Sequence, residues 1–456
     1  MKTYRILGAL CALLLLATAC GRGDGVSSDP VSTPETTTTT TTQGEDSTTG
    51  TEAPTTTAGA TTGQTTEVQT TAATTTKVTT IAKATTTAAV SEPVVDTPDW
   101  TKYTIGCFIH PVWEGNTVYN ETLMFVPNAK TGKIDPAPLL YKPDKVLEVR
   151  SADLSKLYKE GADYTVTADG RIALTENTRI PTWAYDEYYC KTYESFGLPS
   201  LSATGRYLKY AEGNTFLKTQ VCVTYTHSDK WEGYVPEYAG DVLKNTVAKL
   251  KAGKPLSIVY NGDSVAEGCN ASGWLKIAPF VPNWTQMVTQ ELQAVYDSNI
   301  LTKNTAVGGK TAEWGLENVQ DNIIRYVPDL VVLRFGTNDA TQGVTSSQFK
   351  QRMAGIIEAV RKARPECEFI LVANTLSNPD VGAPWTNRYH TENQAALLEL
   401  AEEYDGVAVA RMLDVESTLL KTKRYWDMTG NNINHYNDFM TRVQASVVAQ
   451  LLVEDL

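Results

Sequence analysis

Four short segments of the 456-residue chain hold residue types suited to nucleophilic chemistry. Asn261-Gly262-Asp263-Ser264 offers a hydroxyl, and Gly308-Gly309-Lys310-Thr311 a small-residue turn with exposed backbone donors. Gly336-Thr337-Asn338-Asp339 brings an amide beside a carboxylate, and Asn431-Asn432-Ile433-Asn434-His435 an imidazole. A serine hydroxyl is a poor nucleophile at neutral pH and needs an adjacent base. Imidazole titrates nearest the working pH and is the side chain best suited to that task. The chain has four histidines, His110, His227, His390 and His435, and His435 alone stands just before a final helix. Singly these segments are weak, because a Gly-Asp-Ser is usually a turn and a lone histidine usually a cap or a surface residue. Their order, and their common place after strands, carry the signal.

The elements that must position them read as follows. Leu256 to Tyr260, Asn304 to Val307, Leu330 to Phe335, Phe369 to Ala373 and Val407 to Ala410 are short apolar runs expected to be strands. Asn283 can cap a helix in which Trp284, Met287, Val288, Leu292 and Val295 recur at helical spacing. Ser346 or Ser347 opens a second helix, with Phe349, Met353, Ile356, Ile357 and Val360 on one face. A third is expected around Asn393 to Tyr404, and a last one through Phe439, Val443, Val447, Val448 and Leu451. Apolar strands alternating with amphipathic helices imply a parallel sheet covered on both faces. In such sheets ligands bind beyond the carboxyl ends of the strands, where all four segments fall.

The rest of the chain reads differently. Lys2 and Arg5 precede the apolar run Leu7 to Leu16, which is short for a membrane span and suits a signal peptide over 1–19. Ala17-Thr18-Ala19-Cys20 resembles a lipobox, which would place a lipid on Cys20 and the protein on the bacterial surface; the same residues fit ordinary secretory cleavage. Residues 20–98 are dominated by threonine, offer little to bury against chain entropy, and are expected to form a disordered tether. Residues 99–235 are expected to form a β-sandwich-like accessory domain and 250–456 the α/β domain. Thr117-Val118-Tyr119 and Val221 to Tyr225 favour strands, and Tyr164 to Thr167 with Arg171 to Leu174 flank an Asp169-Gly170 hairpin turn. The formal net charge of −12 argues against nucleic acid as a partner. Removing Cys11 and Cys20 leaves Cys107, Cys190, Cys222, Cys269 and Cys367, an odd number without CxxC or zinc spacing, so neither a metal nor another cofactor is expected. One pair among Cys107, Cys190 and Cys222 could be a disulfide; small buried thiols are an equal alternative.

Over about residues 255–452 the four segments resemble the sequence blocks of the SGNH (GDSL-like) hydrolases: Gly-Asp-Ser, a lone Gly, Gly-x-Asn-Asp and Asp-x-x-His. The resemblance implies a flavodoxin-like three-layer α/β/α domain and ester hydrolysis, with Ser264 as nucleophile and His435 as base. It also implies an oxyanion hole from the backbone N–H groups of Ser264 and Gly309 and the side chain of Asn338. Aligning Asn304 to Thr311 with the family's Asn-x-x-x-x-Gly-x-Thr pattern selects Gly309 over Gly308. Asp263 and Asp339 then support the loops that carry these groups. One departure is plain: three positions before His435 this chain has Asn432 in place of aspartate. Asparagine cannot stabilise an imidazolium by charge, which leaves three arrangements: Asn432 orienting the ring, Asp427 or Asp438 reaching it, or a Ser–His dyad. The expected substrate is a short ester, O-acetyl on carbohydrate first, as in the bacterial secreted carbohydrate esterases this chain is similar to. Trp274, Trp314, Trp385 and Tyr389 are candidates to stack on a sugar, with loop packing an equal alternative. A lysophospholipase or arylesterase, and a non-catalytic glycan-binding lipoprotein, are the competing readings.

Overall fold

The structure, a computed structural model, describes residues 109–192, 197–199, 204–382 and 389–456. The expected signal peptide, Cys20 and the Thr-rich tether, together with Cys107 and Trp385, lie outside the described residues. All the described residues belong to one compact unit.

β-Branched and aromatic residues shape the first part. Strands β1 (Thr117–Met124), β2 (Lys145–Ser151) and β3 (Leu157–Tyr158) precede a hairpin of β4 (Tyr164–Val166) and β5 (Ile172–Leu174). β6 (Tyr189–Cys190), β7 (Gly197–Pro199), β8 (Tyr207–Lys209) and β9 (Gln220–Thr226) follow. They form an antiparallel sheet in the order β1-β9-β2-β3, the β4-β5 pair and a three-stranded sheet β6-β8-β7. The hairpin turns where expected: Gly170 has φ +84°, and a Cβ there would fall 2.7 Å from Pro143, so both backbone and space require glycine. Among the described residues, Cys190, Cys222, Cys269 and Cys367 form no disulfide.

The C-terminal part is the expected α/β layer structure. β10 (Leu256–Gly262), β11 (Ile300–Asn304), β12 (Leu330–Arg334), β13 (Glu368–Val372) and β14 (Val407–Ala410) form one sheet in the order β11-β10-β12-β13-β14. All four neighbouring pairs run parallel. This is the doubly wound order of flavodoxin-like folds, in which the strand order reverses beside the first strand. The helices that matter here are α1 (Lys244–Lys251), α2 (Ser264–Glu267), α3 (Trp284–Tyr296), α4 (Ala312–Glu317), α5 (Thr337–Thr341), α6 (Ser346–Ala363), α7 (His390–Glu403), α8 (Met412–Leu419) and α9 (Asp438–Gln450). Alternation along each strand sorts the core into two layers. Ile258, Val332, Ile370 and Ala408 face Met287 and Leu292 of α3 and Val443 and Val447 of α9. Val259, Val331, Leu333 and Phe369 face Phe349, Met353 and Ile356 of α6 and Leu397 of α7.

Three boundaries differ from expectation for physical reasons. The strand expected at Asn304 to Val307 ends at Asn304, because β11 is an edge strand: its residues after Ile300 are exposed, so no apolar run marks it. Helix α6 is capped by Thr345, whose hydroxyl accepts the Gln348 N–H in a capping box, one residue before the serines considered. Helix α1 has little apolar content and was not expected; the Glu368 carboxylate receives the Asn245 and Thr246 N–H groups at its start, each at 2.8 Å.

The β-rich part does not close a core of its own. Leu123, Val221, Val223 and Tyr225 share one buried cluster with Phe439, Val443 and Leu452. Arg442 of α9 donates to the carbonyls of Tyr119 and Asn120 at 2.7 and 2.9 Å. Lys423 and Glu121 form an ion pair at 2.6 Å with both side chains fully buried. This shared packing brings residues of the β-rich part to the edge of the α/β sheet.

Candidate active site

At the end of β10 the chain must pass close to β12. A Cβ on Gly262 would fall 2.1 Å from the Arg334 carbonyl, so only glycine allows the strands to stay paired there. Asp263 then caps α2, its Oδ1 accepting the Val265 N–H at 3.0 Å. Its carboxylate also holds Arg334 Nη1 at 2.8 and 2.6 Å in a fully buried pair, and the same Nη1 donates to the Thr337 hydroxyl at 2.8 Å. One arginine thus ties the Ser264 turn to the Asn338 turn through Asp263 and Thr337. Ser264 is the first residue of α2 and is nearly buried.

His435 reaches this serine from the other end of the domain. The loop before α9 is held by one side chain, since Asn431 Oδ1 accepts the N–H groups of Ile433, Asn434 and His435 at 2.9, 3.0 and 3.1 Å. The His435 carbonyl is fixed by the Gly430 N–H at 2.8 Å and the Thr429 hydroxyl at 2.9 Å. The result is a contact of 2.8 Å between His435 Nε2 and Ser264 Oγ, with both residues 5% exposed. The other ring nitrogen, Nδ1, faces two acceptors: Asn270 Oδ1 at 2.5 Å and Glu212 Oε2 at 3.3 Å. Two acceptors on that side place the proton on Nδ1 and leave Nε2 to accept from the serine hydroxyl.

Neither acceptor was anticipated. Asn270 lies in the turn after α2 with φ +70°, a conformation asparagine tolerates better than most residues. Its Nδ2 donates to the Gly213 carbonyl at 3.2 Å, which turns Oδ1 toward the imidazole. Gly430 leaves room for it, because a Cβ there would meet the Asn270 Cβ at 2.6 Å. Glu212 comes from the connection between β8 and β9. Its Oε1 accepts from the Tyr210 hydroxyl at 2.6 Å and from Asn431 Nδ2 at 3.1 Å. Burial alone would raise its carboxyl, but the charge of His435 and hydrogen bonds from His435, Tyr210 and Asn431 outweigh burial and bring it down to about 2. The sequence signals for these two residues are faint. Gly268-Cys269-Asn270 and Glu212-Gly213-Asn214 read as turns, and nothing in their spacing points to His435.

Asn432 is not placed to orient the ring. Its side chain is engaged elsewhere: Oδ1 accepts from the Tyr188 hydroxyl at 3.0 Å and from Asn378 at 3.1 Å, and Nδ2 donates to the Lys209 carbonyl at 2.9 Å. Its backbone at φ +70° swings the side chain away from the position an Asp-x-x-His pattern would give it. The two aspartates considered are likewise committed. Asp427 binds Arg424 and the Met124 N–H, and Asp438 receives the Ser272 N–H at 2.7 Å. Burial pushes the Asp438 carboxyl up to about 6.

The glycine turn and the Asn338 turn are linked to the serine turn, the first through Glu267 and the second through Arg334. The Gly308 N–H is taken by Glu267 Oε2 at 2.8 Å. Gly309, at φ +76°, has nothing within 4 Å of where its Cβ would stand, so its side opens on free space. Asn338, in the first turn of α5, uses one Nδ2 hydrogen on the Lys310 carbonyl at 2.9 Å and keeps the second. Asp339 binds the Ala312 N–H with both oxygens at 3.2 and 3.1 Å, which joins the glycine turn to α5. Burial raises its carboxyl to about 6. The remaining histidines are used elsewhere: His110 packs edge-on to Tyr119, His227 stacks on Tyr141, and His390 Nδ1 meets the Thr375 carbonyl at 2.5 Å. Of the aromatic candidates, Trp274, Trp314 and Tyr389 are half-buried, and Lys310 Nζ lies 5.6 Å from the Trp314 ring. Among the described residues, no group of three or more His, Cys, Asp or Glu is arranged to hold a metal ion.

Residues 261–441 match the GDSL-like lipase/acylhydrolase family. They form a GDSL-like hydrolase domain. The match begins at β10 and ends within α9, so it spans the serine and the histidine and excludes Glu212. No curated protein matches the chain. Among solved structures the chain is similar to a two-domain esterase active on acetylated mannans, at 20% identity and a TM-score of 0.38, over 48% of this chain and 55% of that one. It thus spans about half the length of that esterase. It is also similar to an acetyl-xylooligosaccharide esterase from Geobacillus stearothermophilus, at 18% identity and a TM-score of 0.37, over 43% of this chain and 94% of that one.

Proposed function

We propose that the protein is a serine esterase that removes short acyl groups, acetyl first, from carbohydrate at the bacterial cell surface, tethered through a lipid on Cys20. The observation that carries the reading is the 2.8 Å contact between Ser264 Oγ and His435 Nε2 at the carboxyl edge of the sheet, with Nδ1 held by acceptors. Ser264 Oγ attacks the acyl carbon as its proton passes to Nε2. The oxyanion of the tetrahedral intermediate is met by the N–H groups of Ser264 and Gly309 and by the free Nδ2 hydrogen of Asn338. The imidazolium returns its proton to the departing alcohol oxygen, leaving an acyl-serine. Water, deprotonated by the same imidazole, then releases the acid. The preference for short acyl groups is supported by the turns around Ser264, which are tied down by Asp263, Arg334 and Asp339 and are short connections between sheet and helices.

The test is a series of aryl esters of growing acyl length with the wild type and Ser264→Ala. The reading expects acetyl to be hydrolysed fastest and the variant to lose turnover on every ester. Preference for long chains removes the acetyl assignment, and equal rates for wild type and variant remove Ser264. Acetylated xylan and acetylated peptidoglycan then separate the polymers, and labelling of Cys20 by a radioactive fatty acid in cells checks the tether.

A further inference from the structure

We infer that Glu212, supplied by the β-rich part of the chain, is the positioning carboxylate for His435, so that the relay runs Ser264–His435–Glu212 with Asn270 sharing the Nδ1 hydrogen. The inference rests on the esterase reading above and adds the residue that stabilises the charged base.

Three features of the site support it. First, the hydrogen on Nδ1 has two acceptors of different kinds. Asn270 Oδ1, at 2.5 Å, fixes the ring and its tautomer but carries no charge. Glu212 Oε2, at 3.3 Å, is a carboxylate and opposes the positive charge that appears when Nε2 takes the serine proton. Second, the carboxylate is built in. Its other oxygen is occupied by Tyr210 and Asn431, which leaves Oε2 to face the imidazole. Asn431 uses its Oδ1 to hold the His435 backbone and its Nδ2 to hold Glu212, so one side chain sets the distance between base and carboxylate. The titratable groups that bear on Glu212 are His435 and Tyr210, and the group stays ionised far below neutrality. Third, the place where the GDSL-like pattern puts aspartate holds Asn432, whose side chain is turned to Tyr188, Asn378 and Lys209. The negative charge therefore approaches the ring from a different segment of the chain, one outside the 261–441 match.

The proton bookkeeping is closed. As Oγ bonds to the acyl carbon, its proton moves to Nε2; the Nδ1 hydrogen stays on Nδ1, and Glu212 stays unprotonated. The Nε2 proton then leaves with the alcohol. Glu212 acts through His435 and touches neither substrate nor reacting atoms.

Glu212→Gln in the full chain tests this, because glutamine keeps the size and an acceptor while removing the charge. Two readouts are taken. In an NMR titration of the histidine rings, His435 should lose about one pH unit or more of its pKa in the variant, as expected for removal of an opposite charge within about 4 Å. In steady-state hydrolysis of an aryl acetate, kcat should fall about 10- to 1000-fold with KM little changed, and the acid limb of kcat/KM should move to lower pH. That fall is less than the ~10⁴-fold seen when the carboxylate of a serine-protease triad is neutralised, because Asn270 preserves the tautomer. Glu212→Asp should recover part of kcat and most of the titration shift. An unchanged His435 titration and an unchanged acid limb in a folded Glu212→Gln would overturn the inference. If the wild type hydrolyses no ester, the esterase reading fails by itself, and the NMR titration still decides whether Glu212 governs the charge of His435.

Discussion

The serine side and the histidine side of the site are assembled by different means. Ser264 and its supports come from consecutive strand ends of one parallel sheet: Asp263 after β10, Ala312 after β11, Arg334 as the last residue of β12, and Thr337 and Asp339 just beyond it. The imidazole is held by residues from three distant segments: Glu212 from the β-rich part, Asn270 from the turn after α2, and Asn431 from the loop before α9. A parallel sheet delivers its strand ends to one edge by construction. The histidine side depends on how the β-rich part seats on α9 and the loop before it. The nucleophile turn is therefore a property of the GDSL-like domain, and the setting of the base is a property of the whole described unit.

The sharpest break in that comparison comes from the base itself. His435→Ala should lower kcat by about 10⁵- to 10⁶-fold, close to Ser264→Ala, since residues that act as one unit are lost together; a fall of only about tenfold on aryl acetate would mean that the serine is activated by something else. Next is the seam between the two parts. Lys423→Ala leaves Glu121 charged and unpaired in a fully buried place, and should cost about 3–5 kcal/mol in chemical unfolding. Because the seam places Glu212, the remaining folded protein should also lose kcat. Unchanged stability would show that the two parts do not depend on each other.

Asn432→Ala sharpens the comparison from the opposite direction. It removes buried hydrogen bonds to Tyr188, Asn378 and Lys209, so stability should fall by about 1–3 kcal/mol while kcat changes less than about tenfold. A loss as large as that of His435→Ala would return Asn432 to the role of ring orienter. The smallest effect is on the serine side. The Asp339 carboxyl is raised from 3.8 to about 6, so the folded state holds its proton more tightly than the unfolded state. Its stabilising contribution is full below about pH 4 and is lost as pH rises through about 6. Asp339→Asn, neutral throughout, should lose less stability between pH 4 and 7 than the wild type, by at most about 3 kcal/mol. Parallel thermal-unfolding curves for the two proteins across that range would contradict the assignment.

The same division explains what could be read from the sequence. Strands buried on both faces must be apolar runs, which is why β10, β12, β13 and β14 were visible, and why β11, an edge strand with exposed residues, was misplaced toward Val307. Ser264, Asn338 and His435 stand at strand ends or just before a helix, where serine, asparagine and histidine are common as caps and turns, so only the order of the four segments singles them out. The structure brings Ser264 and His435 into contact. The choice among the three arrangements considered around Asn432 was not legible, because sequence spacing takes no account of a left-handed backbone at φ +70°. Glu212 and Asn270 left no trace, since a carboxylate in one turn and an amide in another acquire their meaning only when tertiary packing sets them beside Nδ1. The β-rich part was correctly seen as strands; that its sheet shares a core with α9 follows from Leu123, Val223, Phe439 and Val443, whose pairing no local pattern encodes.

The most direct measurement is the site of acylation. The protein is mixed with a fluorophosphonate or an excess of p-nitrophenyl acetate, quenched in acid, and its peptides are weighed by mass spectrometry. A single adduct per chain on the peptide containing Ser264, missing in Ser264→Ala and strongly reduced in His435→Ala, is the expected result. Hydrolysis that proceeds with the adduct on another residue, or with no adduct in the wild type and full turnover in Ser264→Ala, contradicts the account.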